Sequence, residues 1–280
     1  MTKGGQKPAS FGVKPQSGLR LGEGVSAAAP KLADASTTQP FAGQASPQDP
    51  LTPTLSRRER EHSALLKLLT WLSPTFPTGG FAYSHGLEWA VEAGDIKTEG
   101  DLAAWLDDVL RHGAGRSDAI LLRHAHQADS ATALADVAEL ATAAQPTRER
   151  QAETVGQGGA FALAAAVWGA PLLAGLLTAG GPIPYPVAVG ALAAAHGVAE
   201  DDAALAMLHA FTASLVSAAV RLVPLGQTAG LRVLAGLEAT VAAVAEDSRA
   251  AGLDDLGGAC FRSDIAAMRH ETQYTRLFRS

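Results

Sequence analysis

Apolar side chains recur at helical spacing along most of this chain. The clearest stripe follows Thr98, which together with Asp101 three residues later has the pattern of a capping box. Its members are spaced at i, i+3, i+4, i+7 and i+8: Leu102, Trp105, Leu106, Val109 and Leu110. This spacing places all five side chains on one face of a helix, so the segment is predicted to bury that face.

Similar periodicity, bounded by Gly, Pro and capping residues, predicts further helices on both sides of this stripe. Their predicted ranges are 58–71, 83–93, 117–127, 130–144, 187–196, 200–223, 231–248 and 264–270, and one more helix is predicted to carry Pro146 in its first turn. No segment shows the alternation with period two that is typical of a strand. The predicted fold class is therefore all-α, a single globular bundle of roughly nine or ten helices.

The first 58 residues lack this periodicity. They are rich in Gly, Pro, Ser, Thr, Gln and Ala, and their few large apolar side chains cannot offset the entropy lost on ordering. They contain no apolar run of the kind that a secretory signal needs. We therefore divide the chain into a disordered extension at 1–58 and a helical domain at 59–280, and we expect the domain to fold without the extension.

Composition and charge narrow the class of protein. Apolar residues make up 47% of the chain but aromatic residues only 5%, so the core has to be built from Ala, Leu and Val. Cys260 is the only cysteine, which excludes an intramolecular disulfide and Cys-based metal sites within one chain. This usage is typical of a reducing compartment, so we expect a cytoplasmic protein. Residues 61–280 carry 14 Lys and Arg against 24 Asp and Glu, which disfavours nucleic acid as a partner.

Residues 154–199 contain no Asp, Glu, Lys or Arg, and the stretch 160–179 is long enough to cross a bilayer. Its many alanines, the break at Pro171 and the lack of a flanking Lys/Arg cluster all argue against a membrane helix. A helix that is apolar on all sides is equally expected at the centre of a globular bundle. We predict that arrangement and no membrane association, and we keep a small helical membrane protein as an alternative.

Candidate catalytic and metal-binding residues do not form a recognisable site. His124 and His126 are two residues apart, which points them to different sides of a helix. His270-Glu271 begins like a zinc-protease motif, but Tyr274 stands where the second histidine is needed. We therefore predict no metal ligand, no cofactor and no catalytic residue. An enzyme with an unrecognised site is the second alternative.

Four other residues have both a structural and a functional interpretation. Ser84 and His85 are adjacent, a spacing that rarely presents a nucleophile to its base, and Cys260 has the setting of a packing residue. Glu88 lies on an otherwise apolar helix face. A functional carboxylate and a capping or ion-paired one fit that position equally well.

A Pro/Gly loop interrupts the helices between residues 72 and 88. Pro74 and Pro77 fix their own φ and hold the preceding residues extended, while two glycines follow at 79 and 80. The loop also carries three large rings, which a flexible linker would lack: Phe76, Phe81 and Tyr83. Both a shaped binding surface and a tightly packed turn between helices fit this pattern.

The segment 268–280 is dense in Arg, Tyr, Phe and Met, the residue types enriched at protein interfaces. Chain ends are usually plain and poorly ordered, so this composition favours a docking segment over a solvated tail. Packing of the segment onto its own domain remains open. Because the segment extends beyond the last long amphipathic helix, we expect removal of residues 269–280 to leave the bundle folded.

The loop and the C-terminal segment also resemble the signatures of a known family. From Ser73 to Glu88 the chain reads Ser-Pro-x-Phe-Pro-x-Gly-x-Phe-x-Tyr-Ser-His-Gly-Leu-Glu, and from Ala267 to Phe278 it reads Ala-Met-Arg-His-Glu-Thr-Gln-Tyr-Thr-Arg-Leu-Phe. Both are similar to signatures of UreF, a family of urease accessory proteins, and residues 185–190 and 220–228 fall between them in the expected order. The resemblance covers residues 62–280, with Gly80 where the family more often has alanine.

The resemblance implies an all-α homodimer that acts as a chaperone and scaffold without an active site of its own. Members of the family bind the accessory protein UreD, called UreH in some organisms. They recruit and modulate the GTPase UreG and assist nickel insertion into apo-urease, while nickel and nucleotide are handled principally by the partners. The residues predicted to contact partners are those of the matched loop and tail: Phe76, Pro77, Phe81, Tyr83, Ser84, His85, Glu88, Arg269, His270, Glu271, Tyr274, Arg276 and Phe278.

Overall fold

The computed structural model describes residues 56–280, and within that range all regular structure is helical. The α-helices are α1 (Arg57–Trp71), α2 (Leu87–Glu92), α3 (Glu99–His112), α4 (Ala114–Gln127), α5 (Ala131–Ala143), α6 (Arg148–Ala165), α7 (Pro171–Ala179), α8 (Tyr185–Ala195), α9 (Glu200–Leu222), α10 (Gly226–Gly236), α11 (Glu238–Asp247) and α12 (Phe261–His270). Short 3-10 turns lie at Gly80–Ala82, Ser248–Ala250 and Leu253–Asp255. The prediction of an all-α fold is confirmed.

Residues 1–55 of the predicted extension lie outside the described residues. The first helix begins at Arg57 because Ser56 caps it, with its hydroxyl accepting the backbone N–H of Glu59 and the Glu59 carboxylate accepting the backbone N–H of Ser56. The capping box predicted at Thr98 and Asp101 is confirmed at the start of α3. The five apolar side chains of the predicted α3 stripe are all buried.

Several predicted helices have different boundaries in the structure. α4 begins at Ala114 rather than at residue 117, and α12 begins at Phe261 rather than at residue 264. α2 begins at Leu87 rather than at Tyr83, because His85 and Gly86 adopt positive φ angles of 61° and 79° that an α-helix cannot contain. The predicted helix at 231–248 is instead divided into α10 and α11 around Leu237.

Pro146 was predicted to lie in the first turn of a helix, but in the structure it lies before the helix. Thr147 caps α6 instead, with its hydroxyl accepting the backbone N–H of Arg150. Pro146 therefore precedes the cap, where its missing N–H and fixed φ are tolerated.

Two apolar cores fill the bundle. The first lies among α1 and α4 to α8 and contains Trp71 and Phe161. The second lies among α2, α3 and α9 to α12 and contains Leu102 and Phe278. Helices α4 and α9 contribute to both cores and so join them into one folded unit.

α8 is the most enclosed helix of the first core: eight of its eleven residues are buried. It packs against α4 on one side and α6 on the other. The approach to α6 is close because Gly158 has no side chain: a Cβ there would lie 1.9 Å from the backbone oxygen of Ile183, just before α8. The uncharged segment 154–199 thus supplies the helix around which its neighbours are packed.

The stretch 160–179 is not a single helix, because α6 ends at Ala165 and α7 begins at Pro171. Two other stretches, Glu200–Leu222 and Gly226–Ala250, are long and apolar enough to cross a membrane by length and composition alone. The core helix of a soluble protein meets the same criterion, and a substantial part of each stretch is buried within the bundle. They are therefore weak evidence for a membrane span.

Candidate functional site

Residues 271–280, the tail, fold back onto α2 and α6. The Glu88 carboxylate of α2 accepts the backbone N–H groups of Leu277 and Phe278 at 2.6 and 2.9 Å. The Gln273 amide donates to Glu92 at 2.5 Å, and the Phe278 ring is 5% exposed within the second core. The tail is therefore part of the folded domain.

His270 joins the end of α12 to both of these helices. Its ring is fully buried, with Nε2 3.0 Å from a Glu88 carboxylate oxygen and Nδ1 2.7 Å from a Glu149 carboxylate oxygen. The other Glu149 oxygen accepts a hydrogen bond from Arg276 at 2.7 Å. Carboxylates only accept hydrogen bonds, so this geometry is fully satisfied when both ring nitrogens carry hydrogen.

The end of the Pro/Gly loop is hydrogen-bonded to the end of the tail. The backbone N–H and the hydroxyl of Ser84 both donate to the Ser280 carbonyl, the former at 2.6 Å. The Arg279 N–H donates to the Ala82 carbonyl at 2.8 Å, and the Ser280 hydroxyl donates to Glu153 at 2.8 Å. Ser84 is fully buried, so its hydroxyl serves the fold rather than a nucleophilic reaction.

A strained backbone turn sets the loop against α12. His85 has a left-handed φ of 61°, a conformation that costs a non-glycine residue about 1–3 kcal/mol. Gly86 follows with a φ of 79°, and a Cβ there would lie 2.8 Å from the Ala267 backbone nitrogen. The His85 ring packs edge-on against Phe211 of α9, at 5.1 Å between ring centroids. The surrounding contacts therefore fix this turn.

Glu153 is the charged centre beneath the loop. Burial alone would raise the pKa of Glu153, but the charge of the Arg150 guanidinium at 2.5 Å, together with the hydrogen bond from the Ser280 hydroxyl, lowers it to about 2. Burial, reinforced by the Arg150 charge, lowers the pKa of His85 to about 4. His85 Nδ1 lies 3.6 Å from Glu153, which is too long for a hydrogen bond, so the neutral ring has one unpaired nitrogen.

A groove of about 990 Å³ opens beside this cluster. Exposed leucines form its flanks: Leu65 and Leu69 on α1 and Leu205 on α9. Polar side chains from α4, α6 and α8 reach its lining: Asp118, Arg150, Glu153 and Tyr185. The groove therefore combines exposed apolar side chains with polar side chains in its lining.

Asp118, which lines the groove, has a carboxyl group without a hydrogen-bonding or ion-pair partner in the described part of the chain. Among residues 56–280, none hydrogen-bonds to its side chain or forms an ion pair with it. Burial, with a smaller contribution from the Glu153 charge, raises the pKa of Asp118 to about 7 against the opposing charge of Arg150. Its side chain is partly exposed because it faces the groove, but protein encloses the carboxyl closely enough to favour the neutral form.

We expect Asp118→Asn to stabilise the protein at pH 8 but to have little effect at pH 4. The folded state binds the Asp118 proton more tightly than the unfolded state. The free energy of unfolding therefore falls as the pH rises from 3.8, and it stops falling above about pH 7, where Asp118 is ionised in both states. The gain at pH 8 is up to a few kcal/mol, discounted for the partial exposure. Thermal unfolding at both pH values measures it, with the exposed Asp136→Asn as control. Equal effects of Asp118→Asn at the two pH values would contradict this account.

The predicted partner-contact residues fall into three groups. Five are buried and bind their own chain, so they offer no surface to a partner: Ser84, His85, Glu88, His270 and Phe278. Three are half-buried: Phe76, which packs on Phe161 and Trp168, together with Tyr83 and Glu271. Five are exposed: Pro77, Phe81, Arg269, Tyr274 and Arg276.

The sequence suggested that removal of residues 269–280 would leave the bundle folded. The contacts of the tail contradict this expectation. Deletion would take away His270 and Phe278, and it would leave the Glu88 and Glu153 carboxylates buried without their tail partners. The contacts of Glu88 give it the ion-paired setting of the structural interpretation. The tail combines buried anchors with exposed side chains.

Several residues of the site were missed from the sequence. Glu149 and Glu153 on α6 have partners in the tail that lie more than 120 residues away, so no local pattern identifies them. Asp118 was not singled out at all. An unnoticed apolar stripe on α12 is exposed beside the tail: Phe261, Ile265 and Met268. Its i, i+4, i+7 spacing was the available signal.

No cluster of three or more His, Cys, Asp or Glu side chains arranged to hold a metal ion exists within residues 56–280. Cys260 is buried, and burial raises the pKa of its thiol, so it has the character of a packing residue.

Comparison with known proteins extends these observations. The UreF family model matches residues 96–238. The urease accessory protein UreF of Bradyrhizobium diazoefficiens is 55% identical over 226 residues, covering 79% of this chain and 93% of that protein. UreF of Rhodopseudomonas palustris strain TIE-1 is 52% identical over 227 residues (79% and 94%), and UreF of Methylobacterium strain 4-46 is 52% identical over 220 residues (77% and 88%). The similarity extends over most of the chain and nearly the whole of each relative.

Proposed function

This chain belongs to the UreF family of urease accessory proteins, and we propose that it is the scaffold on which the urease maturation complex assembles. In this role it binds UreD (UreH), recruits the GTPase UreG and modulates its activity. The assembly then inserts nickel into apo-urease, with the metal as cargo that the partners handle. The protein works by binding, in the cytoplasm, without a catalytic residue or a resident cofactor. Neither nucleic acid nor a membrane takes part.

The observation that best supports a binding role is the way the tail is held. Its anchors Gln273, Phe278 and Ser280 are buried, while Tyr274 and Leu277 between them are largely exposed. A segment fixed in this way presents its outward side chains with little loss of entropy on binding. The exposed α12 stripe lies next to it in the chain, and four arginines occur along the two segments: Arg262, Arg269, Arg276 and Arg279. Aromatic residues and arginine are the side chains that most often dominate binding energy.

The test is a double substitution, Tyr274→Ala with Arg276→Ala. Both side chains are exposed, so the fold should survive. Binding to the accessory partners should weaken by a factor of about thirty to several hundred, since each such truncation typically costs about 1–2 kcal/mol or more. Size-exclusion chromatography with UreD and UreG measures complex formation, and urease activation measures the consequence.

Leu231→Ala with Arg232→Ala on α10 is the matched control. It also removes one exposed apolar side chain and one arginine that is ion-paired to a glutamate, here Glu99. The control should co-elute like the unaltered protein. If the Tyr274/Arg276 variant also co-elutes with both partners and activates urease, the tail is not their binding site.

The groove supports the homodimer that forms part of this proposal. Exposed leucines on α1 and α9 are a surface that a second copy can cover, and α9 carries Asp202 near its N-terminus and Arg221 near its C-terminus. Antiparallel pairing of α9 with its own copy across a two-fold axis brings these opposite charges together at both ends. The exposed apolar flanks and the self-complementary charge pattern both favour a second copy of this chain as the occupant.

A further inference from the structure

We propose that a second copy covers the groove with uptake of a proton at Asp118, so that self-association is tight in mild acid and weakens as the pH rises. The inference rests on the proposed homodimer and adds a mode of regulation to it. It follows from the position of one carboxyl group in a cavity that the second copy closes.

If a second copy covers the groove and excludes water, an ionised Asp118 has no hydrogen-bond donor within residues 56–280 to stabilise its charge. Its carboxyl lines the groove and has no hydrogen-bond donor among the described residues. The nearby Arg150 is already committed to Glu153 at 2.5 Å, so it cannot turn to Asp118 without stranding a buried carboxylate. Covering the groove therefore takes away the solvent that stabilises the charged form, and the neutral acid is favoured in the dimer.

Every helix that lines the groove contributes charged or titratable groups. They are Glu61 on α1, Arg150 and Glu153 on α6, Tyr185 on α8, Asp202, His209 and Arg221 on α9, and Glu238 on α11, together with Tyr83 of the loop. Of these groups, the Glu153 charge opposes ionisation of Asp118 and the Arg150 charge favours it.

The pH range over which dimerisation takes up a proton follows from the pKa of Asp118 in the monomer. Burial raises the pKa of Asp118 to about 7 before any second copy binds, so the proton must be taken up above that pH. Each proton bound on association changes the dissociation constant up to about tenfold per pH unit, and a dimer holds two such sites. We expect the dimer dissociation constant to rise at least about tenfold between pH 6 and pH 8.5.

Sedimentation equilibrium of the full chain at pH 6, 7 and 8.5, at constant ionic strength, tests this. Asp118→Asn replaces the carboxyl by a neutral group of the same shape and should give a dissociation constant that does not change with pH. Two controls in the same groove, Asp202→Asn and His209→Gln, should keep the pH dependence of the unaltered protein.

A second measurement does not depend on any variant. Dissociation of the unaltered dimer on dilution in a calorimeter, in two buffers of different ionisation enthalpy at pH 8, counts the protons released directly, and we expect between one and two per dimer. If the dimer releases no protons on dissociation, or if the pH dependence persists in Asp118→Asn, this inference is wrong but the proposed homodimer is not contradicted. A chain that stays monomeric at every pH overturns both.

Discussion

Gly158→Ala should strongly destabilise the protein. A Cβ at this position would lie 1.9 Å from the Ile183 carbonyl oxygen and 2.6 Å from the Pro184 carbonyl carbon, both of them backbone atoms. Because backbone cannot rotate away as a side chain does, α6 would have to move off α8 and break the packing of the first core. We expect a loss above about 4 kcal/mol, against a typical total stability of about 5–15 kcal/mol.

The adjacent residue supplies a matched control. Gly159 lies in the same helix, but an added Cβ there meets no atom within 4 Å. Gly159→Ala should therefore stabilise the protein by about 0.5–1 kcal/mol, the usual gain of alanine over glycine inside a helix. Urea unfolding followed by circular dichroism compares the two variants. Similar stabilities would mean that α6 and α8 are not this close.

Glu88→Ala should produce the second largest effect. The substitution removes the acceptor of two backbone N–H groups of the tail and of His270, and all of these groups lie in a buried or half-buried setting. Leaving a buried charged pair without one member costs about 3–5 kcal/mol. We expect a drop of that size in the free energy of unfolding, together with rapid proteolysis of the tail under native conditions.

Glu92→Ala on the same helix is the comparison. Glu92 is exposed and accepts one hydrogen bond from the tail, so its loss should cost about 1 kcal/mol or less. If Glu88→Ala is as mild as Glu92→Ala, or if the tail of Glu88→Ala resists protease as the unaltered tail does, Glu88 does not anchor the tail.

The helices could be predicted from the sequence wherever a local rule was sufficient. The α3 stripe and its capping box depend on residues three to eight positions apart, and both are present in the structure. The start of α2 was placed too early because the pattern of side chains does not report the sign of φ at His85. That angle is imposed by packing against Phe211 and α12, which are distant in the chain.

The site was harder to predict because its partners are distant in sequence. Whether Glu88 was functional or ion-paired could not be decided until its three partners, 182 to 190 residues further on, were placed beside it. The composition of the tail favoured a docking segment and left packing onto its own domain open, and the structure shows that packing. The composition could not separate side chains that anchor the tail, such as Phe278, from those that project outward, such as Tyr274.

The pairing of residues 82–88 with residues 270–280 also governs how the chain can fold on the ribosome. Helices α4 to α8 rest mainly on contacts with one another, so they can pack while synthesis continues. The Glu88 carboxylate and the Ser84 backbone must wait for some 190 further residues, which is about 10–40 seconds at usual elongation rates. Throughout that interval the nascent chain exposes an unfilled slot beside α2. The outward face of the tail exists only after translation has supplied the segment that closes this slot, so surfaces built on it are absent from incomplete chains.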